Sequence, residues 1–346
     1  MAFDPDAAAQ PGSGIFGLTC SRADSRIVLV PVPYDATTSY RPGTADGPRA
    51  IREASMQVDL YDRRFGRVYE HGIFMEDEDE RIRLMGSKAA AFARPLLEQG
   101  GAGPDDSPAV ARVNAAGESV NDFVARQVSR ILDENKVPGV IGGEHSVPFG
   151  AIQACAQRFG GAPGGLGILH LDAHMDFRHA FEGFVWSHAS IMHNVLTHVP
   201  QVTKLVQVGI RDFGEGELAF AKSQGSRVAI HFDDAWAEEL ARGKTTFLEL
   251  CSRAIQDLPR HVYVSFDIDA LDPSLCPHTG TPVPGGLSFN QATLLLDALK
   301  QSGRTVVGFD LVEVAPGPTG APEWDANVGA RVLYKLCGVA ASGSGV

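Results

Sequence analysis

Short runs of β-branched and apolar residues recur along the chain, separated by segments with helical periodicity. The runs are Ile27–Val32, Val137–Ile141, Leu166–Leu171, Leu205–Ile210, Val228–His231, Val262–Phe266 and Val306–Phe309. Uninterrupted apolar runs of this length are typical of strands that are buried on both faces. Intervening segments such as Val110–Asn135 and Phe289–Gln301 favour α-helices. The alternation predicts an α/β fold of three α/β/α layers, with a central and mainly parallel sheet of about eight strands.

Composition and charge restrict the class of protein. The chain has 346 residues and a formal net charge of −12, which argues against nucleic acid or an anionic membrane as a partner, because both require a basic surface. No apolar run is long enough to span a bilayer, and the first residues do not resemble a secretory signal. We expect a cytoplasmic protein. The five cysteines lack a CxxC spacing and predict neither a disulfide framework nor a thiolate zinc site.

The domain organisation follows from where the polar residues described below lie. They extend from the middle of the chain to near its end, which favours a single catalytic domain over residues 26–340. The loop Gly101–Pro108 is interpreted as a surface loop of that domain and not as a linker. Residues 1–25 and the tail Ala341–Val346 are expected to be poorly ordered.

Carboxylates and imidazoles follow three of the predicted strands. Asp172, His174 and Asp176 come directly after Leu166–Leu171, and their i, i+2, i+4 spacing places all three side chains on one side of an extended chain. Asp267 and Asp269 follow Val262–Phe266 with the same spacing. Because ligands of open α/β sheets collect at the carboxyl ends of strands, we expect these groups to lie together.

A third strand, Val137–Ile141, runs into two glycines and then Glu144 and His145. Four aspartates and two imidazoles would be costly to bury together unless cations neutralise the carboxylates. The set exceeds what one tetrahedral ion needs and suits two ions that share bridging carboxylates. The sequence therefore predicts a dinuclear metal site.

Several longer motifs resemble those of the arginase/agmatinase (ureohydrolase) superfamily. They are GGEHS, DAHMD, SFDID, the segment Leu271–Gly286, the segment Arg41–Ser55 and the segment Asp310–Pro316. The resemblance spans nearly the whole chain. It implies an arginase-like fold and a hydrolase that uses two divalent ions, Mn²⁺ or Ni²⁺, to attack the guanidinium carbon of a small cationic substrate.

The resemblance also implies roles for individual residues. One ion is assigned to His145, Asp172, Asp176 and Asp267, and the other to Asp172, His174, Asp267 and Asp269, so that Asp172 and Asp267 bridge. Three residues are assigned to catalysis: Asp176 handles the proton passed to the leaving nitrogen, His188 shuttles protons, and Glu313 holds the guanidinium. A carboxylate fork is also the best partner for a planar guanidinium on chemical grounds. Seven other histidines, His170 among them, match no ligand position and are predicted to be structural.

Some residues depart from the family pattern. Glu144 stands in place of the usual aspartate, and we expect it to keep a supporting role. His188 is followed by Ala189 where glycine is usual. The loop from Phe177 to Met192, which the family uses as a pocket wall, carries three bulky aromatic residues, namely Phe181, Phe184 and Trp186. They are expected to thicken that wall. His278 is interpreted as exposed rather than as a pocket residue.

These departures favour a substrate with little beyond its guanidinium: guanidine, an N-alkylguanidine or a biguanide. The alternatives are an agmatinase or a guanidinobutyrase. A single-zinc amidohydrolase of the histone-deacetylase type is a further rival, which the second aspartate pair disfavours. An alternative of another class is a catalytically silent subunit of a mixed oligomer, although all six ligands are present. From the resemblance we expect a homotrimer or homohexamer, with a related chain as a possible partner.

Overall fold

In the computed structural model, which describes residues 4–10, 12–318 and 323–343, eight parallel strands form one sheet in the order β2-β1-β3-β8-β7-β4-β5-β6. The strands are β1 (Ile27–Val32), β2 (Ile73–Met75), β3 (Val137–Gly142), β4 (Leu166–Leu171), β5 (Val202–Ile210), β6 (Val228–Phe232), β7 (His261–Asp267) and β8 (Thr305–Val312). This confirms the predicted fold class. Each of the seven predicted runs forms a strand, and the sequence missed only β2, which has three residues and lies at an edge of the sheet.

Helices cover both faces of the sheet. They are α1 (Gly47–Ala54), α2 (Glu80–Glu98), α3 (Ser107–Asp133), α4 (Phe149–Phe159), α5 (Ile191–His198), α6 (Glu215–Ser223), α7 (Asp233–Ala241), α8 (Phe247–Gln256), α9 (Phe289–Gln301) and α10 (Asp325–Ala341). Alternate strand residues enter two separate cores, as Val28 and Leu29 of β1 illustrate. Helices α1 and α7–α10 contribute to the core that contains Leu29, and α2–α6 contribute to the core that contains Val28. The molecule therefore has the three layers that the sequence predicts.

The N-terminal segment departs from its expected disorder. Ile15, Phe16 and Leu18 are buried, and the ring of Phe16 lies edge-on to Tyr334 of α10 at a centroid distance of 4.9 Å. Apolar side chains in this segment therefore complete the core beneath α10. Of the two terminal segments that the prediction covers, residues 1–3, 11 and 344–346 lie outside the described residues. The extent of the single domain, residues 26–340, stays a prediction.

Two further expectations concern membranes and thiols. None of the helices within the described ranges is long and apolar enough to cross a bilayer. All five cysteines are free thiols, and four of them are buried. The four buried thiols act as packing residues of the two cores.

Candidate metal centre

The four central strands, β3, β8, β7 and β4, end side by side at one edge of the sheet. The predicted ligands and Glu313 lie at or after these four ends: His145 after β3, Glu313 after β8, Asp267 and Asp269 at the end of β7, and Asp172, His174 and Asp176 after β4. Neighbouring parallel strands thus bring together residues that are far apart in sequence. Gly143 permits the turn after β3, because a Cβ atom there would lie 2.0 Å from the carbonyl oxygen of Tyr34.

A first group of ligand atoms surrounds the imidazole of His145. Its Nδ1 lies 2.9 Å from Asp172 Oδ2, 3.1 Å from Asp176 Oδ2 and 3.1 Å from Asp267 Oδ2. All four side chains are almost fully buried. One imidazole nitrogen and three carboxylate oxygens that converge in this way could supply four ligand atoms to one ion.

A second group of ligand atoms surrounds His174, whose side chain lines a cavity next to the first group. Its Nδ1 lies 3.1 Å from Asp269 Oδ2 and 3.4 Å from Asp172 Oδ1. The two oxygens of Asp172 thus face different groups, which is the arrangement of a bridging carboxylate. Asp267, the other expected bridge, faces the first group through Oδ2, and its Oδ1 accepts a hydrogen bond of 2.8 Å from the backbone N–H of Asp269. Its bridging role stays a prediction.

The ligand atoms approach one another without forming hydrogen bonds. Among the described residues, His145 Nδ1, Asp176 Oδ2 and Asp269 Oδ2 are buried and have no hydrogen-bond partner. Burial, followed by the charges of Asp269 and Asp172, raises the pKa of Asp267 well above its usual range. Burial, followed by the charge of Asp172, raises the pKa of Asp176 to about 7. Buried carboxylates that oppose one another's ionisation are stabilised by cations, so the donor set fits divalent metal ions.

This arrangement predicts the metal content of the protein. After removal of metal with a chelator and reconstitution with Mn²⁺ or Ni²⁺, the chain should retain about two ions, because there are two groups of ligand atoms. Elemental analysis of the gel-filtered protein measures this directly. Saturation at one ion per chain would contradict a dinuclear centre.

A hydrogen-bond chain behind His145 fixes which of its nitrogens is free. Its Nε2 lies 3.0 Å from Ser265 Oγ, and that hydroxyl donates to Asp310 Oδ1 at 3.1 Å. Because the Ser265 hydroxyl proton points to Asp310, Nε2 of His145 must carry the proton that Ser265 accepts. The Nδ1 lone pair is then available for a cation. In the sequence, Ser265 and Asp310 stand only within family motifs, without a signal of their own for this supporting role.

Ser265 and Asp310 belong to a row of buried polar residues that crosses the sheet one layer beneath the ligands. This polar row consists of Gln207, His170, Ser265 and Asp310, which are paired in register on β5, β4, β7 and β8. All four are fully buried. His170, which the family pattern left as structural, lies with Nε2 at 2.9 Å from Asp172 Oδ2. Its position two residues before Asp172 was the only sequence signal for this contact.

Glu313 is held rigidly with one oxygen left free. Its backbone N–H donates to the carbonyl oxygen of Gly143, and its Oε1 accepts from the backbone N–H of His145, both at 2.8 Å. The other oxygen, Oε2, is buried without a hydrogen-bond partner among the described residues. Glu313 has φ of 61° and Asp176 has φ of 56°, a left-handed conformation that is uncommon outside glycine and concentrated at functional sites.

His188 lies on the opposite wall of the cavity. Its Nε2 is 3.4 Å from Ser39 Oγ, and its backbone N–H donates to Thr37 Oγ1 at 3.3 Å. Burial, followed by the charges of His174 and His145, lowers the pKa of His188 to about 4. The side chain is therefore neutral near pH 7.

The cavity between these residues has a volume of about 230 Å³. Phe181 and Ala189 line it, as expected. The expectation for the other two aromatic residues is wrong. Phe184 is fully buried in a small core between α2 and α3, and Trp186 packs against Phe149, with ring centroids 4.9 Å apart. Trp186 can lie this close to α3 because residue 117 is glycine. A Cβ atom at Gly117 would lie only 2.7 Å from the Cβ atom of Trp186.

Two other departures from the family pattern, Glu144 and His278, form hydrogen bonds with nearby residues. Glu144 is buried and accepts hydrogen bonds from the backbone N–H of Thr37 at 2.7 Å, from the Thr37 hydroxyl at 2.8 Å and from the Ser146 hydroxyl at 2.6 Å. It therefore supports the segment that contacts His188, as expected.

His278 binds Asp325 through its backbone N–H at 2.8 Å and through Nδ1 at 2.9 Å. Its side chain is 37% exposed and it is not among the residues that line the cavity.

Comparison with known proteins places these observations in a family. The model of the arginase family matches residues 25–338. The chain belongs to the arginase family. Members of this family are ureohydrolases, which hydrolyse C–N bonds of amidines, and they use a binuclear metal centre.

Individual relatives differ in their named substrates. The chain is 31% identical over 325 residues to an N(1)-aminopropylagmatine ureohydrolase of Thermus thermophilus, covering 91% of this chain and 90% of the relative. It is 30% identical over 295 residues to an agmatinase of Bacillus cereus, covering 85% and 84%. The solved structure of proclavaminate amidino hydrolase from Streptomyces clavuligerus matches with a TM-score of 0.68 and 27% identity, covering 92% and 93%. These three relatives are thus named for three different substrates.

Proposed function

We propose that this arginase-family chain is a dinuclear-metal amidinohydrolase that hydrolyses a C–N bond of a small guanidino compound. The products would be urea or a substituted urea, together with ammonia or an amine. One observation supports the proposal: two groups of ligand atoms share Asp172 beside a cavity lined by Glu313, whose buried Oε2 has no hydrogen-bond partner in the described part of the chain.

The side chains around the cavity suit the steps of such a hydrolysis. Bound divalent ions would lower the pKa of a water molecule at the centre and so supply a nucleophile near neutral pH. Glu313 would bind the guanidinium through its free oxygen and orient the planar carbon. Water would add to that carbon, the C–N bond would break, and the leaving nitrogen would take a proton that Asp176 would deliver. His188, neutral at pH 7, would exchange protons between the cavity and solvent.

Replacement of His188 by alanine tests its proposed role. Turnover should fall by roughly ten- to a thousandfold, as for loss of a general acid/base group. The metal content should stay at the wild-type value, because among the described residues the hydrogen bonds of His188 go to Ser39 and Thr37 and not to a predicted ligand. Elemental analysis and steady-state kinetics on one preparation measure both quantities. Loss of metal in His188→Ala equal to that in a ligand variant would contradict the assignment.

Within this proposal, guanidine, an N-alkylguanidine or a biguanide is the first choice of substrate. Phe181 and Ala189 support it, because both line the cavity near His188. Phe184 and Trp186 no longer support it, because they pack into the core. Agmatine and guanidinobutyrate therefore stand as the alternatives, and the named relatives favour agmatine-like substrates.

A substrate panel tests the proposal. Urea and ammonia release should be measured with guanidine, methylguanidine, biguanide, agmatine, 4-guanidinobutyrate and arginine, with Mn²⁺- and Ni²⁺-loaded protein in parallel. Hydrolysis of at least one compound supports the proposed activity, and the ranking of kcat/KM decides the substrate. Protein that holds two ions and hydrolyses none of them would overturn the proposed substrates. Retention of less than one ion per chain would instead favour the silent-subunit alternative.

Assembly is a further part of the proposal and derives from the family resemblance. We expect a trimer or hexamer, because closed symmetric assemblies are the common outcome for soluble oligomers. Light scattering coupled to size exclusion should give three or six times the 36.8 kDa mass of the chain. A species that stays at the mass of one chain at micromolar concentration would contradict this expectation.

A further inference from the structure

His170 is the member of the polar row closest to the metal ligands. It is fully buried on β4, its Nε2 lies 2.9 Å from Asp172 Oδ2, and its ring centroid lies 5.1 Å from that of His145. One of its nitrogens lies within 4.8 Å of ligand atoms of His145, Asp172 and Asp176. By distance alone, His170 could be either a further metal ligand or a hydrogen-bond donor to Asp172.

Gln207 distinguishes these two roles. Its amide nitrogen Nε2 lies 2.9 Å from the carbonyl oxygen of Met175, which can only accept, and 3.0 Å from His170 Nδ1. The orientation of the amide is therefore set by Met175, since the reverse orientation would place two carbonyl oxygens in contact. The second amide hydrogen then points to His170 Nδ1, which must be the accepting nitrogen.

A neutral imidazole whose Nδ1 accepts a hydrogen bond carries its proton on Nε2. In His170 that N–H points at Asp172 Oδ2, so the nitrogen has no lone pair to offer a cation. The other oxygen of Asp172, Oδ1, accepts from the backbone N–H of His174 at 2.5 Å. Each oxygen of Asp172 thus has one donor that fixes its direction and keeps a lone pair for a cation.

We propose that His170 and Gln207 are a positioning pair that holds Asp172 in its bridging orientation, and that His170 is not a metal ligand. The inference rests on the dinuclear centre proposed above. Partners that donate to or orient a metal ligand typically contribute ten- to a hundredfold to metal affinity. The pair should therefore act on metal retention, separately from any step of the reaction.

The test compares His170→Gln with His170→Phe. A glutamine at position 170 can place its amide N–H near Asp172 but is a poor metal ligand, whereas phenylalanine fills the space without a donor. Apparent Kd values for Mn²⁺ should be measured by chelator competition on the metal-free full chain, with ion counts after gel filtration. We expect His170→Phe to weaken metal binding about ten- to a hundredfold, and His170→Gln to retain two ions with Kd within about threefold of wild type.

Each outcome decides the inference. Wild-type metal affinity in His170→Phe, or loss of one ion in His170→Gln, would overturn it. Because His170→Phe could fail to fold, Gln207→Met provides a second arm: it keeps His170 but removes the hydrogen bond that sets its proton, and circular dichroism of the metal-free form checks its folding. Unchanged metal affinity in a folded Gln207→Met would also overturn the proposal. A wild-type chain that binds fewer than two ions would instead count against the proposed centre itself.

Discussion

Replacement of Asp172 by alanine is expected to abolish metal retention and turnover together. Asp172 is the residue whose two oxygens face the two ligand groups, with Oδ2 at 2.9 Å from His145 and Oδ1 at 3.4 Å from His174. Its removal takes one ligand from each group, so bound metal should fall close to zero. Urea release should drop at least about a thousandfold, because the nucleophile depends on the ions. Elemental analysis and kinetics on the same samples measure both losses.

Asp267→Asn provides a companion variant that separates metal loss from misfolding. The pKa of Asp267 is raised well above its usual range by burial, followed by the charges of Asp269 and Asp172, so its ionised form is unfavourable without metal. Metal-free Asp267→Asn should therefore be at least as stable to heat as the metal-free wild type near pH 7, although it loses metal. Asp212→Asn is the matched control, because Asp212 lines the cavity mouth and belongs to neither ligand group. Retention of two ions in Asp172→Ala would contradict the bridging assignment.

Replacement of Glu313 by glutamine should remove substrate binding while leaving the metal in place. The amide keeps the size of the side chain and can still accept from the backbone N–H of His145. It cannot carry the negative charge with which Glu313 would pair with a guanidinium, a charge that is unfavourable without a cation because burial raises the pKa of Glu313 well above its usual range. Loss of one partner of a buried charge pair costs about 2–5 kcal/mol, which corresponds to a decrease in kcat/KM of roughly 30- to 5,000-fold.

The control for Glu313→Gln is the metal content, which should stay at the wild-type value because Glu313 belongs to neither ligand group. Glu313→Asp retains the charge on a shorter side chain and should lose less activity than Glu313→Gln if charge is the dominant factor. Equal kcat/KM for Glu313→Gln and wild type would show that another residue binds the guanidinium.

Much of the fold and of the candidate centre could be predicted because one sequence pattern, an apolar run followed directly by polar residues, indicates both. Buried parallel strands appear as apolar runs, and functional groups appear where those runs end abruptly, as with Asp172 after Leu166–Leu171. The three-residue strand β2 carries too few residues for any periodicity to be detected. Its pairing with β1, from Ile27 with Ile73 to Leu29 with Met75, depends on a neighbour that is distant in sequence.

Other features could not be predicted, because they depend on contacts between elements. A polar residue inside an apolar run, such as Ser265, gives no indication of the donor or acceptor that the next strand supplies. The direction of loop side chains is equally hidden: Phe181 faces the cavity and Phe184 faces the core, although a two-residue turn connects them. The types and spacing of the predicted ligands indicate them in the sequence, whereas their supporting residues become apparent only with the sheet order.

The polar row also has a consequence for how the chain reaches its native state. Side chains alternate between the two faces of a strand, so a slip of one residue in β4 or β7 would turn His170 or Ser265 toward the hydrophobic core on the other face of the sheet. Each buried polar group that lost its hydrogen-bond partner would cost about 1–3 kcal/mol of folding free energy. The same slip would also misplace the predicted metal ligands. A sheet with misaligned strands is therefore less stable than the native sheet, because the polar row that orients the predicted ligands loses its hydrogen bonds. Because it is less stable, a misaligned sheet would not accumulate as a folded but inactive form.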